Sequence, residues 1–185
     1  MKYIFTEASI SGIFHITLKE FEDNRGSFIE TFREVEYERL NLPKRFVQDM
    51  RSISKKNVLR GLHFQIQNPA GQLVYATRGK FLDVGVDLRQ GSKTFGLHKI
   101  FILEETVPAQ VYYPPGIAHG FLALDEINEL RYKTTEYYNP EDEGGLNWAD
   151  QDISIDWKTV HPIVSERDNN FKFFKDLNPH LLPRV

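Results

Sequence analysis

The feature that most constrains this chain is a succession of short segments rich in Val, Ile, Phe and Tyr, each closed by Gly, Pro, Asn or Asp: GIFHITLKEF, GSFIETF, NVLRGLHFQ, GQLVYAT, KFLDVGVDL, HKIFIL, AQVYYP, GFLAL and ELRYKTTEYY. Runs of this length, interrupted this often, suit strands and leave no room for long helices. The spacing predicts an all-β sandwich or barrel. Only two stretches read as helix, EVEYERLNL, which Pro43 ends, and ERDNNFKFFKDL near the C-terminus, so the helices are few, short and peripheral.

With 185 residues the chain is long enough for one domain with a real core, expected over 1–185 with a less regular tail from about residue 160, where Pro and charge thicken. Cys is absent, which excludes disulfides, thiolate catalysis and Cys-based zinc sites. The 23 Lys and Arg against 26 Asp and Glu are too balanced for non-specific binding of nucleic acid. Neither a secretory leader nor a membrane-spanning run is present, so the expected location is the cytoplasm, with no membrane partner.

Of six His, His63 in RGLHFQ and His119 in PPGIAHGF are the two whose apolar, strand-like context is most informative. A lone His there is more often a hydrogen-bonded core residue than a catalyst, but two in one β-sandwich are both candidate proton acceptors near neutral pH. Residues two before and two after His63 are Gly61 and Gln65, so the paired-His spacing of a metal site is missing and no metal is expected. In FLDVGVDLR, Asp83, Gly85 and Asp87 alternate with Leu82, Val84, Val86 and Leu88. A carboxylate at Asp83 needs a partner if buried, for which His119 is a candidate, while Asp87 and Arg89 read as a surface pair at a strand end. In ELRYKTTEYY, an extended chain puts Tyr132, Thr134, Glu136 and Tyr138 on one face, with the two tyrosines roughly 20 Å apart. That face suits either a Tyr-rich core or a long ligand.

Together, DNRGSFIETF, FVQD, RGLHFQ, VDLR, TFG, AHGFLAL and YKTTEYYNPEDEGGLNWADQDISIDW resemble the dTDP-4-dehydrorhamnose 3,5-epimerase family of metal-free cupins, from about residue 10 to about residue 170. The resemblance implies a cupin-type jelly roll that forms a homodimer and acts, without a cofactor, on a nucleotide-linked 4-keto-6-deoxy sugar. It puts the catalytic base on His63, held by Asp168 in SERD, and the proton-donating Tyr on Tyr132. His119, with Asp83 behind it, would contact the sugar. Arg25 and Arg60 would bind anionic groups, Glu30, Gln48 and Glu143 would contact the ligand, Tyr138 would stack on the base, and Arg167 would suit a phosphate.

The sequence departs from the family at two places. Gln72 in AGQLV stands where Lys is usual, and Met50 in VQDM stands where Asn is usual. Two alternatives therefore stay open: a single-site epimerase or one using another nucleotide, and a binding module without turnover. Strict alternation in NVLRGLHFQ would put Arg60 and His63 on opposite faces, whereas the resemblance wants both at one ligand. A departure from regular alternation at Gly61 is the expected resolution.

Overall fold

A computed structural model describes residues 2–183. In chain order the elements are β1 (Tyr3–Glu7), β2 (Phe14–Leu18), β3 (Glu20–Asp23), β4 (Gly26–Ile29), α1 (Glu34–Glu38), β5 (Gln48–Lys55), β6 (Leu59–Gln65), β7 (Gln72–Arg78), β8 (Lys80–Asp87), β9 (His98–Glu104), β10 (Ala109–Tyr113), β11 (Ile117–Ala123), β12 (Ile127–Thr134), β13 (Glu143–Gly145) and α2 (Glu166–Asn169), followed by two single turns of 3₁₀-helix. From β5 to β12 the chain pairs as one long folded hairpin, with β5 against β12, β6 against β11, β7 against β10 and β8 against β9. Wrapping that hairpin sends alternate pairs to two facing antiparallel sheets, which is the cupin-type jelly roll. One sheet runs β1-β2-β10-β7-β12-β5 and the other β13-β6-β11-β8-β9, while β3 and β4 form a separate two-stranded hairpin.

Three apolar layers follow from the period-2 patterning. Between the sheets lie Val74, Val111 and Leu130 against Phe81, Leu103 and Phe121. Outside the six-stranded sheet, Tyr37 of α1 seals Ile16, Leu73 and Tyr112, and its hydroxyl donates to Gln110 Oε1 at 2.9 Å. Outside the five-stranded sheet, Leu62, Phe64, Val84 and Val86 are covered by Ile153, Trp157 and Leu182 from the C-terminal segment. Each fully buried aliphatic side chain contributes roughly 1.5–3 kcal/mol. The irregular tail is thus a third packing layer that brings α2 beside β6.

Several expectations need correcting. The first helix stops at Glu38, short of Pro43, because Asn41 adopts a left-handed φ of 55° and the Leu42 amide turns back to the Tyr37 carbonyl. The second is not one helix but α2 and a 3₁₀ turn at Phe174–Asp176. Between them Leu146 bridges Lys172, and the Asn147 side chain donates to the carbonyls of Asn169 and Phe171, which holds the chain extended. Asp87 and Arg89 are not a surface pair. Asp87 is fully buried and accepts from Arg89 Nε at 2.9 Å, Ser92 at 2.6 Å and Thr94 at 2.7 Å, closing the turn after β8. Strands β1, β5 and β13 were not among the expected segments.

Candidate active site

The site begins with an irregularity in β6. Its neighbour β11 pairs His119 with His63 and Phe121 with Arg60, so two steps along β11 span three along β6. The extra residue is a bulge around Gly61, whose φ is +107°. A Cβ at Gly61 would lie 2.6 Å from the His119 carbonyl oxygen and 2.7 Å from Gly120 Cα, so only glycine allows β11 this close. The bulge changes side-chain parity. Leu59 and Leu62 both pack into the outer layer, and Arg60 and His63 both face the cavity between the sheets.

That cavity has a volume of about 360 Å³. One wall is β6 and β11, carrying Arg60, His63 and His119, and the other is β5, β7 and β12, carrying Met50, Ser52, Gln72, Tyr132 and Thr134. His63 and Tyr132 therefore look at the cavity from opposite sheets. Glu136, Tyr138, Glu143 and Arg167 close its rim. β12 ends at Thr134, so the 20 Å spacing of an extended strand does not apply to Tyr132 and Tyr138, although the Tyr132, Thr134, Glu136 and Tyr138 row does line the cavity.

Each histidine is held by a buried carboxylate. Asp168, almost without exposure on α2, lies 3.0 Å from His63 Nε2 and also accepts from the Gly61 amide at 3.0 Å and from Arg167 Nε at 3.3 Å. A carboxylate partner puts the ring proton on Nε2 and leaves the lone pair on Nδ1, which faces Glu143 at 3.9 Å on the cavity side. Burial alone would raise the Asp168 carboxyl, but the His63 contact and the Gly61 amide outweigh it and hold it well below the usual carboxylate range. Asp83 has no exposure and takes both His119 Nε2 at 2.9 Å and the Tyr113 hydroxyl at 2.5 Å. Burial pushes the Tyr132 phenol up, with Arg60 pulling weakly the other way, so the phenol keeps its proton at neutral pH.

The remaining predicted residues divide. Arg60, Gln72, Tyr138, Glu143 and Arg167 line the cavity. Arg60 is anchored by its Nε to Ser54 Oγ at 3.2 Å, and Arg167 is ion-paired with Glu143. The Gln48 side chain accepts from the Tyr138 amide at 2.8 Å and so positions the rim instead of lining the cavity. Arg25 and Glu30 are not at this chain's cavity. Arg25 sits on the β3–β4 turn, its side chain 85% exposed and paired with Asp23, and Glu30 pairs with Arg33 at 2.6 Å. Sequence reasoning missed Ser52, which lies in the same wall as Tyr132, because a serine within the largely polar stretch 48–54 carries no signal that would single it out. Among the described residues no group of three His, Asp or Glu is placed to hold a metal, and no helix is long and apolar enough to cross a membrane.

A cupin cavity carrying two His–Asp pairs opposite a protonated Tyr can be compared with known proteins. The model of the family described as dTDP-4-dehydrorhamnose 3,5-epimerase matches residues 7–176. The chain is 42% identical to the dTDP-4-dehydrorhamnose 3,5-epimerase of Methanothermobacter thermautotrophicus, covering 96% of this chain and 97% of that one. It is 44% identical to the enzyme of the same name from Escherichia coli, covering 91% of each. A crystal structure of the Legionella pneumophila dTDP-6-deoxy-D-glucose-3,5-epimerase, in complex with dTDP-4-keto-L-rhamnose, superposes with a TM-score of 0.95 at 38% identity, over 99% of this chain and 98% of that one. Likeness of this extent, in sequence and in fold together, makes the chain a member of the dTDP-4-dehydrorhamnose 3,5-epimerase family.

Proposed function

We propose that the protein inverts carbons 3 and 5 of dTDP-4-dehydro-6-deoxyglucose, giving dTDP-4-dehydrorhamnose, by proton transfer through an enolate. The observation that carries this reading is the placement of His63, backed by Asp168, and Tyr132 on opposite walls of one cavity. Carbons 3 and 5 flank the keto group at carbon 4, so a base can remove either proton while charge moves onto the carbonyl oxygen. In this reading His63 Nδ1 takes the proton, Asp168 stabilises the imidazolium, and Tyr132 returns a proton from the other face with inverted configuration. His119, held by Asp83, contacts the sugar, Gln72 is the neutral donor to the developing oxyanion, and Arg60 and Arg167 face the phosphates. The chemistry calls for no redox cofactor.

The working unit is the whole chain as one domain, since the tail supplies Asp168. It is a cytoplasmic homodimer in which the β3–β4 hairpin, with Arg25 and Glu30, reaches the cavity of the second copy. The exposure of Arg25 and its separation from its own cavity support that arrangement. Incubation with dTDP-4-dehydro-6-deoxyglucose in deuterated water tests the reaction. Mass spectrometry and NMR should find deuterium at both carbons. Label at one carbon would make the protein a single-site epimerase, and nucleotide-sugar binding with no label would make it a binding module.

A further inference from the structure

Among the described residues, the Ser52 hydroxyl is the one side-chain polar atom that is buried with no hydrogen-bond partner. Buried hydroxyls nearly always have a partner, so an orphan in a cavity wall points to a group that arrives from outside the chain. Ser52 lies on β5 opposite Leu130 and lines the cavity. Two residues on along the same face, Ser54 Oγ accepts from Arg60 Nε at 3.2 Å, and an Arg60 terminal nitrogen lies 3.5 Å from the carbonyl of Ile53, the residue between the two serines. The guanidinium is therefore laid along β5 beside Ser52. Two residues back, Met50 is paired with Tyr132. The hydroxyl thus stands on the wall that carries the phenol, next to the strand positions that hold the cation.

We infer that Ser52 is a substrate-binding residue whose hydroxyl donates to a phosphate oxygen of the nucleotide held by Arg60. This rests on the nucleotide-sugar reading above. A hydroxyl suits the place because it rotates freely and forms a short, charge-assisted bond to an oxyanion. An ordinary strand serine would instead spend its hydroxyl on the backbone or a neighbouring side chain, and Ser52 does neither.

Ser52→Ala separates the two roles. Without ligand its melting temperature should equal or exceed that of the wild type, because no bond within the chain is lost. Its dissociation constant for dTDP, by calorimetry, should rise roughly tenfold, and inorganic pyrophosphate should weaken as a competitor to the same degree. An unchanged dTDP affinity, a loss confined to dTDP and absent for pyrophosphate, or a melting temperature several degrees lower without ligand would each overturn the assignment. Wild-type protein that binds none of dTDP, UDP, CDP and GDP would sink the epimerase reading and this contact with it. Wild-type binding matched by the variant sinks the contact alone.

Discussion

At Asp83 a carboxylate with no exposure is shared by two donors, the Tyr113 hydroxyl and His119 Nε2. The Tyr113 ring reaches it because Gly85 leaves the space, a Cβ there falling 2.5 Å from the ring. Tyr113→Phe keeps the ring and strips one donor from a buried acceptor, a cost of about 1–3 kcal/mol that should lower the melting temperature by roughly 5 °C. With the carboxylate less firmly held, His119 loses its fixed orientation, so turnover should also fall in steady-state assays. Gln72 is the other informative residue. A charged donor to an oxyanion is worth about 1.5–3 kcal/mol against about 0.5–1.5 for a neutral one, so Gln72→Lys should raise kcat roughly tenfold with little change in KM. A kcat that stays level or drops would remove Gln72 from the oxyanion. The sequence alone singled out His63, His119 and Asp83, because a titratable group in an apolar run is conspicuous. It was silent on Ser52, since a serine in a polar stretch is not.

At the scale of elements, the β6 bulge decides whether Arg60 and His63 share a ligand. Gly61→Ala must place a methyl against the backbone of β11 at a positive φ, so it should cost about 2 kcal/mol or more in denaturant unfolding and depress activity beyond what the stability loss explains. Activity at the wild-type level would show that the parity change is not needed. The bulge was legible as a conflict between strict alternation and chemistry at one glycine. Strand β5 was not legible. Its inner face places Met50 and Ser52 in the cavity wall and spends Gln48 and Ser54 on hydrogen bonds to Tyr138 and Arg60, and its outer face carries Asp49, Arg51 and Lys55, so the apolar period that marks a strand is missing. Only pairing with β12 along its whole length makes it a strand.

At the scale of the molecule, two properties follow. The buried Asp87 carboxyl feels burial pushing it up, but Arg89, Ser92 and Thr94 outweigh this and bring it from 3.8 to about 2. A depressed carboxyl stabilises the fold above its unfolded value and loses that contribution as pH falls. About 2 kcal/mol, present at neutral pH, should therefore disappear between about pH 4 and pH 2, and Asp87→Asn should flatten that part of the acid-unfolding curve. The second property concerns assembly. If the β3–β4 hairpin serves the other copy, Arg25→Ala and His63→Ala proteins, each impaired alone at low substrate, should regain roughly a quarter of wild-type activity when mixed equally and allowed to exchange subunits, because half of the dimers then hold one intact site of two. No recovery on mixing would return Arg25 to its own chain.

The sequence by itself determined the all-β class, most of the strands and the two histidines, because alternation, turn residues and a polar group in an apolar run are all local signals. The tertiary structure decided the rest. His63 meets Asp168 across 105 residues of chain, because the irregular tail packs on the outer face of the five-stranded sheet and sets α2 beside β6. Tyr132 faces His63 because wrapping the long hairpin sends β12 and β6 to opposite sheets. Partners that distant are chosen by which apolar faces must be buried together, and no local pattern along the chain contains that choice.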